Sequence, residues 1–241
     1  HMDGATARHD AVAWGYAKEA AKRGVEIHQL TEVQDFVTEK NQVTAVKTNR
    51  GSIKCGCVVQ AIAGASSILM NKLHIKSPIH TFPLQAMVSQ PFKPFLNPLV
   101  SSSALHCYVQ QTSRGEIVFG GGSDPYPLYN TRSTLDLKES LLAHAIEMFP
   151  FMANVKLMRQ WAGMTDMTPD YSPIMGKSPY DNYYLDAGWG TWGFKSTPIC
   201  GKTMAELVAT GRTPDLIKPF ELSRFSRFQQ VNEMGATAAS H

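Results

Sequence analysis

No run of apolar residues in this sequence approaches the ~20 that a membrane-spanning helix needs, so none is expected. No secretory signal is read at the start either. A charge bias is also missing. Lys and Arg number 23 against 20 Asp and Glu, a net +3, too balanced to imply nucleic acid or an anionic membrane as partner. Cysteine is scarce, with four residues at 55, 57, 107 and 200. The Cys55-x-Cys57 pair has no second pair at ligand spacing, which argues against zinc or any other metal. Both are expected as half-buried fillers on one side of a strand, in a cytoplasmic, reducing compartment. Internal repeats and low-complexity linkers are absent. The chain opens on His1-Met2, which reads as a cloning remnant or as the start of a piece of a longer protein.

What is present suits a packed core. Of 241 residues, 43% are hydrophobic and 18% charged, enough for one or two globular domains. Residues 9–23 carry helical periodicity through Val12, Tyr16 and Ala20, stopped by Gly24. "VEIHQL" (25–30) reads as a strand. Three β runs follow, "VQDFVTE", "QVTAVKT" and "GSIKCGCVVQAIA", with turns between them; a short helix is expected over 65–73. From about Pro78, prolines break up the β runs "LQAMVSQ", "HCYVQQ" and "GEIVFGG", which predict a second, antiparallel sheet. "STLDLKESLLAHAIEMF" is the clearest helix, with Ser133 or Thr134 as its cap and Leu137, Leu141 and Ala145 on one face. "VKLMRQWAGMTD" reads as a strand, "SPIMGKSP" as a turn, and "NYYLDA" as a strand entering a glycine-rich stretch. A helix over "TPICGKTMAELVATG" ends at Gly211. The fold class is mixed α/β (α+β), and the interleaving argues against two independent domains.

The stretch "GWGTWGFKSTPICG" (188–201) spells G-x-G-x-x-G. A dinucleotide fingerprint needs strand, glycine turn, helix and a further parallel strand with an acid. Asp215 has the right spacing, but no strand follows, and Trp189 and Trp192 would crowd a pyrophosphate. The helix is expected to begin near Ser196 to Pro198, where proline suits a first turn. What remains is a strand-to-helix turn with bare backbone, Lys195, and a helix N-terminus that favours negative charge. A ligand site for a carboxylate or a flat anionic ring, and a turn kept for packing with Lys195 reaching to solvent, both fit these residues.

The segments "TARHDAVAWGYAKEA", "QWAGMTDMTPDYSPIMGKSP" and "GWGTWGFKSTPICGKTMAELVATG", in this order and spacing, closely resemble the β subunits of heterotetrameric sarcosine oxidases. These are flavin-dependent amine oxidases related to D-amino acid oxidase and glycine oxidase. The likeness runs from about Gly4 through the terminal "EMGATAASH" and covers the C-terminal portion of such a subunit. The family opens with a strand, a G-x-G-x-x-G turn and a helix that hold the ADP half of FAD. Only eight residues precede His9, whereas a βαβ unit takes about thirty, so that unit is expected to be missing. The resemblance implies residues 1–76 as the remainder of an FAD-binding domain, 77–165 as an antiparallel substrate domain, and 166–241 as a return to the first domain with a tail.

Residue by residue, the resemblance implies covalent FMN at His9, near a partner α subunit. It places Lys195 at the substrate carboxylate beside non-covalent FAD, where it and the helix N-terminus stabilise the reduced flavin. Gly188, Gly190, Thr191 and Gly193 are implied on the pyrimidine side of the flavin. Val33 matches a backbone contact to adenine, and Ala63 and Gly64 match another turn near FAD. The implied reaction is oxidative demethylation of sarcosine to glycine, a one-carbon unit and hydrogen peroxide, with other subunits as partners. A dimethylglycine-type amine dehydrogenase and a non-catalytic truncated subunit serving association are the alternatives. Asp124, Asp166 and Asp170 are set aside as bases, Asp170 being read as a turn former. His106 and His144 are read as structural. Arg159 and Trp161 lie on a strand whose alternate face could look into the site, and "SRFSRF" is read as a solvated amphipathic tail in preference to a partner-binding segment.

Overall fold

A computed structural model describes residues 5–231; the opening His1-Met2 and the terminal "EMGATAASH" lie outside them. Helix α1 spans His9–Lys22 and, among the described residues, buries none of its side chains. An antiparallel meander follows, β1 (Val33–Glu39), β2 (Gln42–Thr48) and β3 (Gly51–Lys54). The short strand β4 (Val58–Gln60) leads into a 3-10 turn at Ala63–Ala65 and helix α2 (Ser66–Lys72).

The largest sheet has five antiparallel strands: β5 (His80–Pro91), β6 (Val100–Ser102), β7 (Cys107–Gln111), β8 (Glu116–Ser123) and β9 (Leu157–Met167), in spatial order β6-β7-β8-β5-β9. Helix α3 (Leu135–Met148), which enters between β8 and β9, packs Leu141 and Ala145 against Met87, Val109 and Phe119 of the sheet. The spacing of four puts both apolar residues on one helix face. Thr134 occupies the N-cap position, yet its hydroxyl donates to the Asp124 carboxylate at 2.8 Å rather than to the helix backbone.

The chain then builds a mixed sheet. Strand β10 (Ile174–Lys177) pairs antiparallel with β11 (Tyr183–Ala187), and β11 pairs parallel with β4. Alternation along β11 divides its side chains between two cores. Tyr183, Leu185 and Ala187 face Phe36, Val43, Met70 and Leu73 of the meander and α2, with Phe36 edge-on to Tyr183 at 5.5 Å. Tyr184 faces Cys200, Met204 and Leu207 of helix α4 (Gly193–Thr210) and Ile217 beyond it. This sheet is covered on both faces.

Four local expectations are corrected. Residues 25–30 are not a strand: Val25, Ile27 and Leu30 are exposed, and no strand lies beside them among the described residues. A β run needs a ladder partner, which hydrophobicity alone does not supply. "SPIMGKSP" contains strand β10 rather than a turn, because burial of Ile174 and Met175 on opposite faces outweighs its proline and glycine. Helix α4 begins at Gly193, which leaves Pro198 inside the helix and exposed; on the outer face the ring displaces no core contact. Cys57 is exposed and only Cys55 half-buried, since β3 ends at Lys54.

Candidate functional site

Two turns leave the carboxyl ends of neighbouring parallel strands. Strand β4 runs into Ala63 and Gly64, and β11 runs into Gly188–Gly193. In α/β sheets this end of the strands is where ligands bind. The structure thus joins two segments more than a hundred residues apart that the sequence analysis nominated separately.

Both turns dock on the edge strand β9. An added Cβ at Gly64 would fall on the Met164 side chain and 2.9 Å from the Met164 carbonyl, and Thr81 donates its hydroxyl to the Gly64 carbonyl at 2.7 Å. Two residues further along β9, the buried Asp166 carboxylate accepts the Gly188 N–H at 2.5 Å and the Gly190 N–H at 3.2 Å. The Asp166 carbonyl also accepts the Gly190 N–H, at 3.0 Å. Burial raises the Asp166 pKa above the ordinary carboxylate value, opposed by the backbone N–H groups of Gly188, Gly190 and Trp189. Gly188 and Gly190 hold φ of +73° and +52°, a region that favours glycine.

Helix α4 starts at the end of this turn. No side chain caps its N-terminus and no acid occupies its first turn. The hydroxyl of Thr197 donates backwards to the Gly193 carbonyl at 3.1 Å. An uncapped N-terminus on an 18-residue helix suits negative charge. The Lys195 ammonium lies 3.9 Å from the Trp192 ring centroid and is exposed.

A cavity of about 610 Å³ opens beside the turn, within the size range of small-molecule sites. Thr191 lines it from the glycine turn, His80 and Phe82 from β5, Thr165 and Met167 from β9, and Tyr171 from the following loop. His106, Asp124, Leu137 and His144 also line it. Asp124 is held there by Gln85, whose amide donates to it at 2.8 Å, and by Thr134. The loop that carries Tyr171 is anchored from behind. Arg224 donates to both oxygens of Asp170, at 2.8 and 2.9 Å, and to the Ser172 carbonyl at 2.7 Å. Burial would raise the Asp170 pKa, but the bonds and charge of Arg224, with the Val231 and Ser172 N–H groups, hold it below the usual carboxylate range.

Of the residues nominated from sequence, Ala63, Gly64, Gly188, Gly190, Thr191 and Gly193 are gathered around the ends of β4, β11 and β9. Lys195 follows on α4 but does not line the cavity. Val33 packs half-buried against the core under the meander. His9 stands exposed in the first turn of α1 and does not line the cavity. His106 and His144, read as structural, are cavity walls, whereas Arg159 and Trp161 are exposed outside it. The "SRFSRF" segment is not simply solvated: Arg224 is 2% exposed and ion-paired. The residues missed were Asp166, Tyr171 and Arg224. An acid flanked by Met164 and Met167 near the end of a β run was the available signal for Asp166; nothing local marked Arg224.

A mixed sheet whose parallel strands end in two glycine-bearing turns meets an antiparallel sheet beside a cavity lined by Thr191 and by residues of β5 and β9. The sequence model of the FAD dependent oxidoreductase family matches residues 1–207, and the chain belongs to that family. It is 43% identical to the sarcosine oxidase subunit beta of Rhodobacter capsulatus over 238 residues, 99% of this chain and 57% of the relative. It is 42% identical to the subunit of the same name from an Arthrobacter species, over 98% of this chain and 58% of that protein. The structure of L-proline dehydrogenase from P. horikoshii superposes with a TM-score of 0.83 at 31% identity, covering 91% of this chain and 60% of the other. The chain therefore spans little more than half the length of the relatives it matches.

Proposed function

We propose that these residues form the flavin- and substrate-facing part of an enzyme that oxidises sarcosine to glycine. One observation carries the reading. Thr191 of the glycine turn and Thr165, Met167 and Tyr171 of the antiparallel sheet and its loop line a single cavity. A flavin ring against the turn would therefore face a substrate held against the sheet. An uncapped helix N-terminus with no acid in its first turn fits such a ring, beside a turn whose Gly188 and Gly190 N–H groups are bonded to Asp166.

Bound FAD would supply hydride acceptance from the N-methyl carbon of a neutral amine, so no side-chain base is needed. Gly188, Gly190, Thr191 and Gly193 would then support the pyrimidine side, with the α4 N-terminus stabilising negative charge there. Lys195 would pair with the substrate carboxylate after leaving Trp192. Ala63 and Gly64 would approach the cofactor from β4, and Val33 through its backbone near the adenine. Apolar walls such as Phe82 and Met167 would exclude water from the reacting carbon. The proposal divides the chain as the resemblance does, into cofactor-facing parts at 1–76 and 166–241 and a substrate-facing part at 77–165.

Covalent FMN at His9, association with further subunits and a cytoplasmic location are finer parts of the same proposal. The family likeness supports the first two, with His9 exposed at the start of α1. All four cysteines are free thiols, in keeping with the third. A cavity of about 610 Å³ admits the one further methyl of a dimethylglycine-type substrate, which is the second reading. The test is anaerobic mixing of the full-length, flavin-loaded protein with sarcosine or dimethylglycine. Bleaching of the flavin absorbance by sarcosine is expected. Bleaching by neither amine would sink the proposal. In His9→Ala the acid-stable flavin should disappear while FAD is retained.

A further inference from the structure

We propose that Asp166 is the positioning residue that sets the glycine turn, and hence the flavin-facing wall, in register with the substrate sheet; this rests on the function proposed above. Asp166 sits at a junction. Its neighbours Thr165 and Met167 line the cavity, while Asp166 itself is 1% exposed and reaches the glycine turn. Successive side chains of a strand point to opposite faces, so one three-residue stretch of β9 presents two cavity walls and one clamp.

The clamp has three bonds. The carboxylate takes the N–H groups of Gly188 and Gly190, and the backbone carbonyl of the same residue takes Gly190 again. The turn has little freedom around these bonds. The Gly188 Cα faces the Thr168 methyl, where an added Cβ would come within 2.6 Å, and the Gly190 Cα faces the Met167 sulfur at the same separation. Thr191, the next residue, is the one that enters the cavity. A carboxylate is suited to this place because it only accepts, and the turn offers only donors. Asparagine has the same shape but must present N–H groups or a single oxygen to two N–H donors. Among the described residues this buried carboxylate has backbone N–H partners and no cation, an arrangement that is costly to maintain, and burial raises its pKa. Packing alone gives no reason for an acid here.

The test is Asp166→Asn in the full-length protein loaded with FAD. Reorganisation by as little as ~1 Å can cost about a hundredfold in rate. The expected result is a fall of at least tenfold in the limiting rate of anaerobic flavin reduction by sarcosine. The substrate Kd should stay within threefold of wild type. The visible spectrum of bound FAD should also shift, because the turn beside the ring is repositioned. A limiting rate and a spectrum unchanged from wild type would overturn the proposal. A loss of melting temperature with rate and spectrum unchanged would also overturn it, assigning Asp166 to stability alone. If Asp166→Asn yields no folded protein, Gly190→Ala decides by the same two readouts. Its methyl would meet the Met167 sulfur at 2.6 Å, and the φ of +52° strains any residue with a side chain, so the turn and the N–H that Asp166 holds must shift. Wild-type protein that binds no FAD would instead overturn the proposed function.

Discussion

Removing the Arg224 guanidinium should destabilise the protein by about 3–5 kcal/mol, the usual cost of leaving one partner of a buried ion pair behind. Both side chains are 2% exposed. Arg224 bonds the two Asp170 oxygens and the carbonyls of Ser172, Phe220 and Glu221, the last at 3.4 Å, and stacks on Phe225 at 4.1 Å. Arg224→Met keeps much of the stem volume but strands a carboxylate that keeps, among the described residues, the N–H groups of Ser172 and Val231. The neighbouring Arg227–Glu221 pair is an internal control, since at 53% and 41% exposure its loss should cost about 0–1 kcal/mol. Equilibrium urea unfolding reads the difference. With a slope of about 3 kcal/mol/M, a loss of ~4 kcal/mol lowers the midpoint by roughly 1 M or more without changing the slope. The pair also has a pH signature. The folded pKa of Asp170 lies below its unfolded value of 3.8, so its stabilisation is present above pH 3.8. It is lost as pH falls through the folded pKa. The gap between wild type and Arg224→Met should therefore narrow in acid. A change under 1 kcal/mol at neutral pH, or a gap independent of pH, would refute the reasoning. The pair anchors the loop bearing Tyr171, so the same variant should weaken amine binding.

Two further outcomes follow from the site. Gly64→Ala places a methyl on Met164 with backbone, not a flexible side-chain end, also in the way. It should cost about 1–3 kcal/mol and weaken FAD retention, measured by equilibrium dialysis; an undisturbed melting temperature would show the turn is not tightly docked on β9. Lys195→Met removes the only charge at the start of α4. The KM for sarcosine should rise about tenfold or more, the scale of one charge-assisted hydrogen bond, and unchanged steady-state kinetics would take Lys195 out of the site.

Much of the molecule was legible locally. The amphipathic pattern of 135–148 specified α3, and the paired β runs of 33–48 specified the meander, because each depends on periodicity within one element. The glycine turn at 188–193 was legible for the same reason, and its context was enough to reject a dinucleotide fingerprint. Residues 25–30 and 174–177 were misread in opposite directions. The first has strand composition and no ladder partner among the described residues. The second has turn residues but lies beside β11, which supplies its hydrogen bonds. Strand identity is a property of the pair, and the partner is remote in sequence.

The sequence by itself determined the family, the helices, the β runs that supply their own periodicity, and the existence of a bare, lysine-bearing turn. Those are encoded in residues within a few positions of one another. Only the tertiary structure decided that β4 and β11 run parallel, so that Ala63–Gly64 and Gly188–Gly193 emerge side by side. It alone showed that His106 and His144 line a cavity with Thr191, and that Asp166 and Arg224 are buried and bonded. These follow from contacts across 22 to 126 positions of chain, such as Asp166 to Gly188 and Gly56 to Asn182. No local pattern records which distant donor a buried charge will meet.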